Sequence, residues 1–72
     1  MIEKSLQIAI DQGRKVKIIY LKDQMTQLRI LEPRTIKEGL LTALDLEKRK
    51  IRNFSLVRIL AVSIIREEDS DD

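Results

Sequence analysis

The sequence predicts a mainly β fold, a small five-stranded barrel with one N-terminal helix. The first observation is a single apolar stripe. Ile2, Leu6, Ala9 and Ile10 fall at the i, i+4, i+7, i+8 spacing of one helix face, and the pattern stops at Gly13. The second is a series of five short apolar and β-branched runs after Gly13, joined by tight polar connections. The third is size. A chain of 72 residues has little with which to cover an exposed sheet edge, and closing the sheet into a barrel removes edges. With one tyrosine, one phenylalanine and no tryptophan, isoleucine and leucine must fill the core.

Gly13 sits where a left-handed C-cap belongs. Lys15 to Leu21 reads as the first strand, with Val16, Ile18 and Tyr20 on one face and Lys15 and Lys17 on the other. Lys22-Asp23-Gln24 suits a hairpin turn, although it lacks the strong Asn-Gly signal. The second strand runs from Met25 to Leu31, Leu28 and Ile30 facing one way, Gln27, Arg29 and Leu31 the other. Glu32-Pro33 is expected to end it, because proline donates nothing to a ladder and holds its predecessor extended. Arg34 to Ile36 then forms a short extended piece and Glu38-Gly39 a turn. Leu40 to Leu46 is almost continuously apolar, the pattern of a strand covered on both faces, although its leucines are also good helix formers. Glu47-Lys48-Arg49 is a charged turn, Lys50 to Phe54 a short strand and Ser55 to Arg58 a single turn. The last strand spans Ile59 to Ile65, with Leu60, Val62 and Ile64 on one face.

Composition narrows the chemistry. Without cysteine or histidine the chain has no disulfide, no thiolate or imidazole to bind a metal and no near-neutral general base. Its serines have nothing to activate them, and the carboxylates of the body stand singly, so the expectation is a non-enzymatic protein with no cofactor and no metal. No signal peptide and no run of eighteen apolar residues is present, which makes a cytoplasmic protein with no membrane association the default. The formal charge of +2 hides an asymmetry. Fourteen cations against seven acids make residues 1–66, the expected barrel domain, +7, whereas the five acids of residues 67–72, read as a disordered acidic tail, contribute −5. A basic body attracts polyanions, and the tail either screens it or simply solubilises the chain end.

Arg52-Asn53-Phe54-Ser55-Leu56-Val57-Arg58-Ile59 breaks the inside/outside pattern. On a strand Arg52 and Phe54 project to the same side, so a buried Phe54 draws a guanidinium inward and an exposed one joins a basic face. Lys48, Arg49 and Lys50 form the densest basic run, either a phosphate-contacting patch or a solvated turn. Arg14, with Lys15 and Lys17, extends a second basic strip. Tyr20 is placed either against a ligand or in the core with its hydroxyl satisfied.

Taken in order, these pieces resemble the WYL domain, an Sm-like or SH3-like β-barrel found mostly toward the C-terminal side of bacterial transcription regulators. Ile8-Ala9-Ile10, Gly13-Arg14 and Tyr20 resemble its "A-I-x-x-x-R…Y", and Arg29 to Pro33 its "R-x-V-x-P". Gly39 to Asp45 aligns with "W-Y-L-x-A-x-D" and Arg52 to Ile59 with "R-x-F-x-L-D-R-I", covering about residues 6 to 62. Gly39 and Leu40 stand where the family has its tryptophan and tyrosine, and Val57 where it has an acid. The resemblance implies a ligand-sensing module for transcription regulation that recognises single-stranded nucleic acid or a nucleotide. Its ligand-binding residues would be Arg29, Arg52, Arg58, Tyr20 and Arg14, with Lys48, Arg49 and Lys50 as a secondary basic run. Guanidiniums suit that role because they grip phosphate and stack on bases. The structural alternative is that the arginines pair with Glu32, Asp45 or Glu47 to lock strand ends. A stand-alone form without the helix-turn-helix of most relatives is expected, acting with a separate DNA-binding partner chain or as a homo-oligomer. The competing class is a protein-interaction or oligomerisation module with no nucleic-acid ligand.

Overall fold

The computed structural model of the chain describes residues 1–66, and the acidic segment at 67–72 lies outside the described residues. Helix α1 (Ile2–Gln12) buries Leu6 and Ala9 completely and Ile2 and Ile10 in part, the stripe expected from the spacing. It stops because Gly13 adopts the left-handed conformation (φ 66°). The amides of Gly13 and Arg14 then return to the carbonyls of Ile10 and Ala9, which satisfies two of the helix's last acceptors. No helix among the described residues is long and apolar enough to cross a membrane.

Beyond the helix lie five strands, β1 (Val16–Lys22), β2 (Met25–Lys37), β3 (Leu40–Asp45), β4 (Lys50–Ser55) and β5 (Ile59–Ile64), with one 3₁₀ turn at Leu56–Arg58. They form one antiparallel sheet in the order β4-β3-β2-β1-β5. The two hairpins of β2 turn on Asp23-Gln24 (φ 53° and 66°) and Glu38-Gly39 (φ 52° and 78°). Positive φ at both positions gives a two-residue turn the twist of its flanking strands, and a glycine takes it without strain. Position 39 therefore carries glycine for backbone reasons where the resembled family carries an aromatic.

Two bulges account for most of the departures from simple alternation. Pro33 does not end β2. It pairs with Ala43 and the strand continues to Lys37, because the register slips between Pro33 and Thr35 and leaves Arg34 unpaired. A proline is tolerated where a bulge interrupts the ladder. Before the bulge Leu31 and Pro33 face inward, and after it Ile36 does, since one extra residue inverts the parity of the rest of the strand. In β5 the register against β1 slips the same way, Ile59 pairing with Tyr20 and Ala61 with Ile19. Leu60 is thereby turned outward, 51% exposed, instead of sharing a face with Val62 and Ile64, and Ile59 takes the core position. Nor is β3 covered on both faces: Leu41, Ala43 and Asp45 are buried, whereas Leu40, Thr42 and Leu44 are exposed or half-exposed, and Leu46 lies past the strand.

The sheet curves so that its inner face folds onto itself. Although β4 and β1 are separated by two strands in the sheet, the Phe54 and Tyr20 rings lie 5.1 Å apart, edge to face at 88°. The Ser55 amide donates to the Tyr20 hydroxyl (3.2 Å) and the Leu56 amide to the Gly39 carbonyl (2.9 Å). The result is the small β-barrel-like fold with one N-terminal helix that the sequence predicts. Val16, Ile18, Leu31, Leu41, Ala43, Phe54 and Ile59 fill its interior, with Leu6 and Ala9 of the helix in the same cluster. Replacing Tyr20 by Phe keeps the ring contact but orphans the Ser55 amide. Urea denaturation of Tyr20→Phe should show a loss of about 1–2 kcal/mol, and an unchanged midpoint would contradict this closure.

Candidate anion site at the barrel mouth

Strand pairing places an unusual set of residues on the inner face. Asp45 lies opposite Leu31, and two residues back along β2 on the same face is Arg29. Ala43 lies opposite Arg52, and Tyr20 opposite Gln27. Tyr20, Gln27, Arg29, Asp45, Arg52 and Phe54 therefore point to one side of the sheet, at a mouth of the barrel. Two guanidiniums and a carboxylate replace core hydrophobics there.

Asp45 is the hub, with a side chain of 0% exposure. Its Oδ1 accepts the amides of Glu47 (3.0 Å) and Lys48 (3.2 Å), and its carbonyl accepts the Arg49 amide (2.6 Å). These bonds build the β3–β4 turn, which Arg49 completes with a left-handed backbone (φ 59°). The other oxygen, Oδ2, accepts Arg52 Nη1 at 3.3 Å and lies 4.0 Å from Arg29 Nε. Burial by itself would raise the carboxyl's pKa. The Lys48 and Glu47 amides, then the Arg52 hydrogen bond and the Arg29 charge, outweigh that and hold it below its ordinary value.

The arginines are held rather than free. Arg29, 19% exposed, donates from Nη2 to Gln27 Oε1 (2.8 Å) and from Nη1 to Glu47 Oε1 (3.2 Å) and the Leu28 carbonyl (3.3 Å). Its Nε is buried without a hydrogen-bond partner. Arg52, 27% exposed, lies over the Phe54 ring with its guanidinium carbon 5.5 Å from the centroid. A continuous chain of contacts thus runs Tyr20, Phe54, Arg52, Asp45, Arg29, Glu47.

Of the residues nominated from sequence, this mouth joins Arg29, Arg52 and, through Phe54, Tyr20. Lys48, Arg49 and Lys50 are exposed on the turn that Asp45 organises, or at its end. Arg58 is exposed on the 3₁₀ turn and, among the described residues, shares no hydrogen bond or ion pair with the other two arginines. Arg14 belongs elsewhere. Its Nε donates to Gln12 Oε1 (3.1 Å), and with Ile8, Gln12, Ile64 and Arg66 it lines a groove of about 400 Å³ beside the end of α1. The pairing alternative holds for Arg29 and Arg52, with Asp45 and Glu47 as partners, whereas Glu32 pairs with Arg34 (3.0 Å). The aromatics are committed inward. Phe54 is 2% exposed, and Tyr20 is half-buried against it with its hydroxyl accepting the Ser55 amide. Among the described residues no cluster of three or more carboxylates is placed to hold a metal ion.

Sequence reasoning named Asp45 only as a partner, and missed that it organises the site. The signal was an acid at the last inward position of an alternating strand, which burial permits only when hydrogen bonds and counter-charges surround it. Asp45→Asn keeps the shape and removes the charge, leaving two half-buried guanidiniums facing each other. It should cost about 2–3 kcal/mol at pH 7 in chemical denaturation. Because the folded pKa lies below the unfolded one, Asp45's contribution is complete above about pH 5 and is lost as pH falls through the folded value. Wild-type and variant stabilities should therefore converge in acid, and a constant gap down to low pH would overturn the assignment.

No protein-family model and no curated protein matches the sequence. Among solved structures, the chain is similar to part of the proteasome accessory factor B/C (PafBC) of Arthrobacter aurescens, with a TM-score of 0.78 and 19% sequence identity. The match covers 97% of this chain and 12% of that one, so the shared unit is a small portion of a longer protein. The likeness is one of fold.

Proposed function

We propose that this chain is a cytoplasmic, non-enzymatic regulatory module that senses an anionic ligand, single-stranded nucleic acid or a nucleotide, at the mouth of its barrel. One observation carries the reading. Arg29 and Arg52, on the two strands that flank β3, are paired with a single buried carboxylate, and the turn built on the same carboxylate leads through Lys48 and Arg49 to Lys50. Five cations against Asp45 and Glu47 leave this end of the barrel at a formal +3. Preorganised guanidiniums lose little entropy on gripping phosphate. With Tyr20 and Phe54 turned inward, recognition rests on the phosphate rather than on base stacking, which makes it tolerant of sequence. The fold likeness to a segment of a larger protein suits a module that reports ligand to other domains or to a separate DNA-binding chain.

A fluorescence-anisotropy titration with a 5′-phosphorylated oligothymidylate at two salt concentrations tests this. Saturable binding that weakens steeply with salt is expected. Arg29→Gln and Arg52→Gln should each weaken it about 5- to 10-fold, while Arg58→Gln stays within about twofold, since an isolated exposed cation contributes little. Absence of saturable binding at low salt would remove the proposal.

A second reading has its own observation. On the outer face Ile19 lies between Leu28 and Ala61, with the bulged Leu60 alongside, and Leu28 and Leu60 are each 51% exposed. A patch of this kind favours an interaction module that pairs with a second copy or a partner chain. Light scattering checks it: a dimer that Leu28→Asp converts to monomer supports this reading, and a monomer at all concentrations excludes self-pairing.

A further inference from the structure

Within the basic mouth, one carboxylate occupies a place that a ligand would want. Glu47 Oε1 lies 3.2 Å from Arg29 Nη1, a long hydrogen bond on a donor that an incoming phosphate oxygen can also take. The residue is tethered only at its backbone, where its amide donates to Asp45 Oδ1, while its side chain is 67% exposed. It can therefore swing away with the turn left intact. An exposed pair of this kind is weak, worth up to about 1 kcal/mol, so a phosphate with several acceptor oxygens competes with it readily. The buried Arg29 Nε, with no hydrogen-bond partner and its nearest carboxylate oxygen at 4.0 Å, shows that the guanidinium is not fully satisfied in the Glu47-paired arrangement.

We propose that Glu47 is an internal occupant of the anion seat on Arg29, and that a phosphate-bearing ligand binds by displacing its carboxylate. Glu47 then sets the affinity threshold of the module. Weak anions such as chloride or a lone carboxylate leave the Glu47–Arg29 pair closed, because the tethered carboxylate is present at high effective concentration. Oligophosphates open it, drawn also by Lys48, Arg49 and Lys50 on the same turn. Glu32 supplies the contrast. It forms an ion pair of similar length with Arg34 (3.0 Å), but on a part of β2 that takes no part in the mouth. This inference rests on the anion-sensing reading of the same mouth.

The test compares wild type, Glu47→Gln and Glu32→Gln, which change the formal charge equally, with the 5′-phosphorylated oligothymidylate as probe. Glu47→Gln should bind about 3- to 5-fold more tightly, the equivalent of losing a competing surface pair. Glu32→Gln should stay within about 1.5-fold, as expected for a charge about a Debye length or more away. The gain should vanish in Arg29→Gln/Glu47→Gln relative to Arg29→Gln alone, because the competition needs Arg29. Equal gains in the two glutamate variants, or a gain that persists without Arg29, would reduce the effect to bulk charge and overturn the inference while leaving the anion-sensing reading in place. No binding by any variant would remove both.

Discussion

The buried carboxylate of Asp45 is the constraint on which the rest of this structure turns. An unpaired carboxylate at that depth would be costly to ionise, so each of its lone pairs must meet a donor or a positive charge. Two amides of the adjoining turn and the Arg52 guanidinium supply the donors, and Arg29 adds its charge. One side chain thereby closes the β3–β4 hairpin and ties β2, β3 and β4 together across their inner faces. Removing any one partner leaves the others in excess, which makes the cluster a cooperative unit rather than a set of separate ion pairs.

That arrangement also decides what the barrel mouth can do. The arginines are not loose surface charges. Arg52 is fixed between Asp45 and the Phe54 ring, and Arg29 between Gln27, Asp45 and Glu47. Under the proposed anion-sensing reading, preset donor geometry at a modest net charge favours selective grip on phosphate over indiscriminate attraction of polyanions. The same packing sets the Phe54 ring against both Tyr20 and Arg52. The outer face of β2, β1 and β5 is the separate apolar surface, and it leaves room for a partner on the side away from the mouth.

Much of the fold was legible in the chain itself. The Ile2, Leu6, Ala9, Ile10 stripe and Gly13 defined the helix, because burial needs one face and a left-handed cap needs glycine. All five strands were readable from β-branched runs between polar turns, even where Asp23-Gln24 carried a mirror turn without the usual glycine. What escaped was parity. A bulge leaves no strong mark in composition, so Leu60 was placed on the face of Val62 and Ile64, and Pro33 passed for a strand end. The site was half legible for the same kind of reason. Arg29 and Arg52 stood out by the motif match, and Arg52 also by sharing a side with Phe54, but which carboxylate they share depends on pairing between β2, β3 and β4 that local pattern does not contain. Arg58 looked equivalent in the motif, yet the 3₁₀ turn carries it to an exposed position without a shared partner.

An NMR titration of the Asp45 side-chain carboxyl carbon, tracked together with the Arg52 Nε–H resonance, measures the central interaction directly. Asp45 should titrate below the ordinary aspartate value, and the Arg52 signal should shift with the same midpoint as the shared hydrogen bond is lost. A midpoint at or above the ordinary value, or an Arg52 resonance indifferent to it, would contradict a buried ionised carboxylate as the organiser of the mouth.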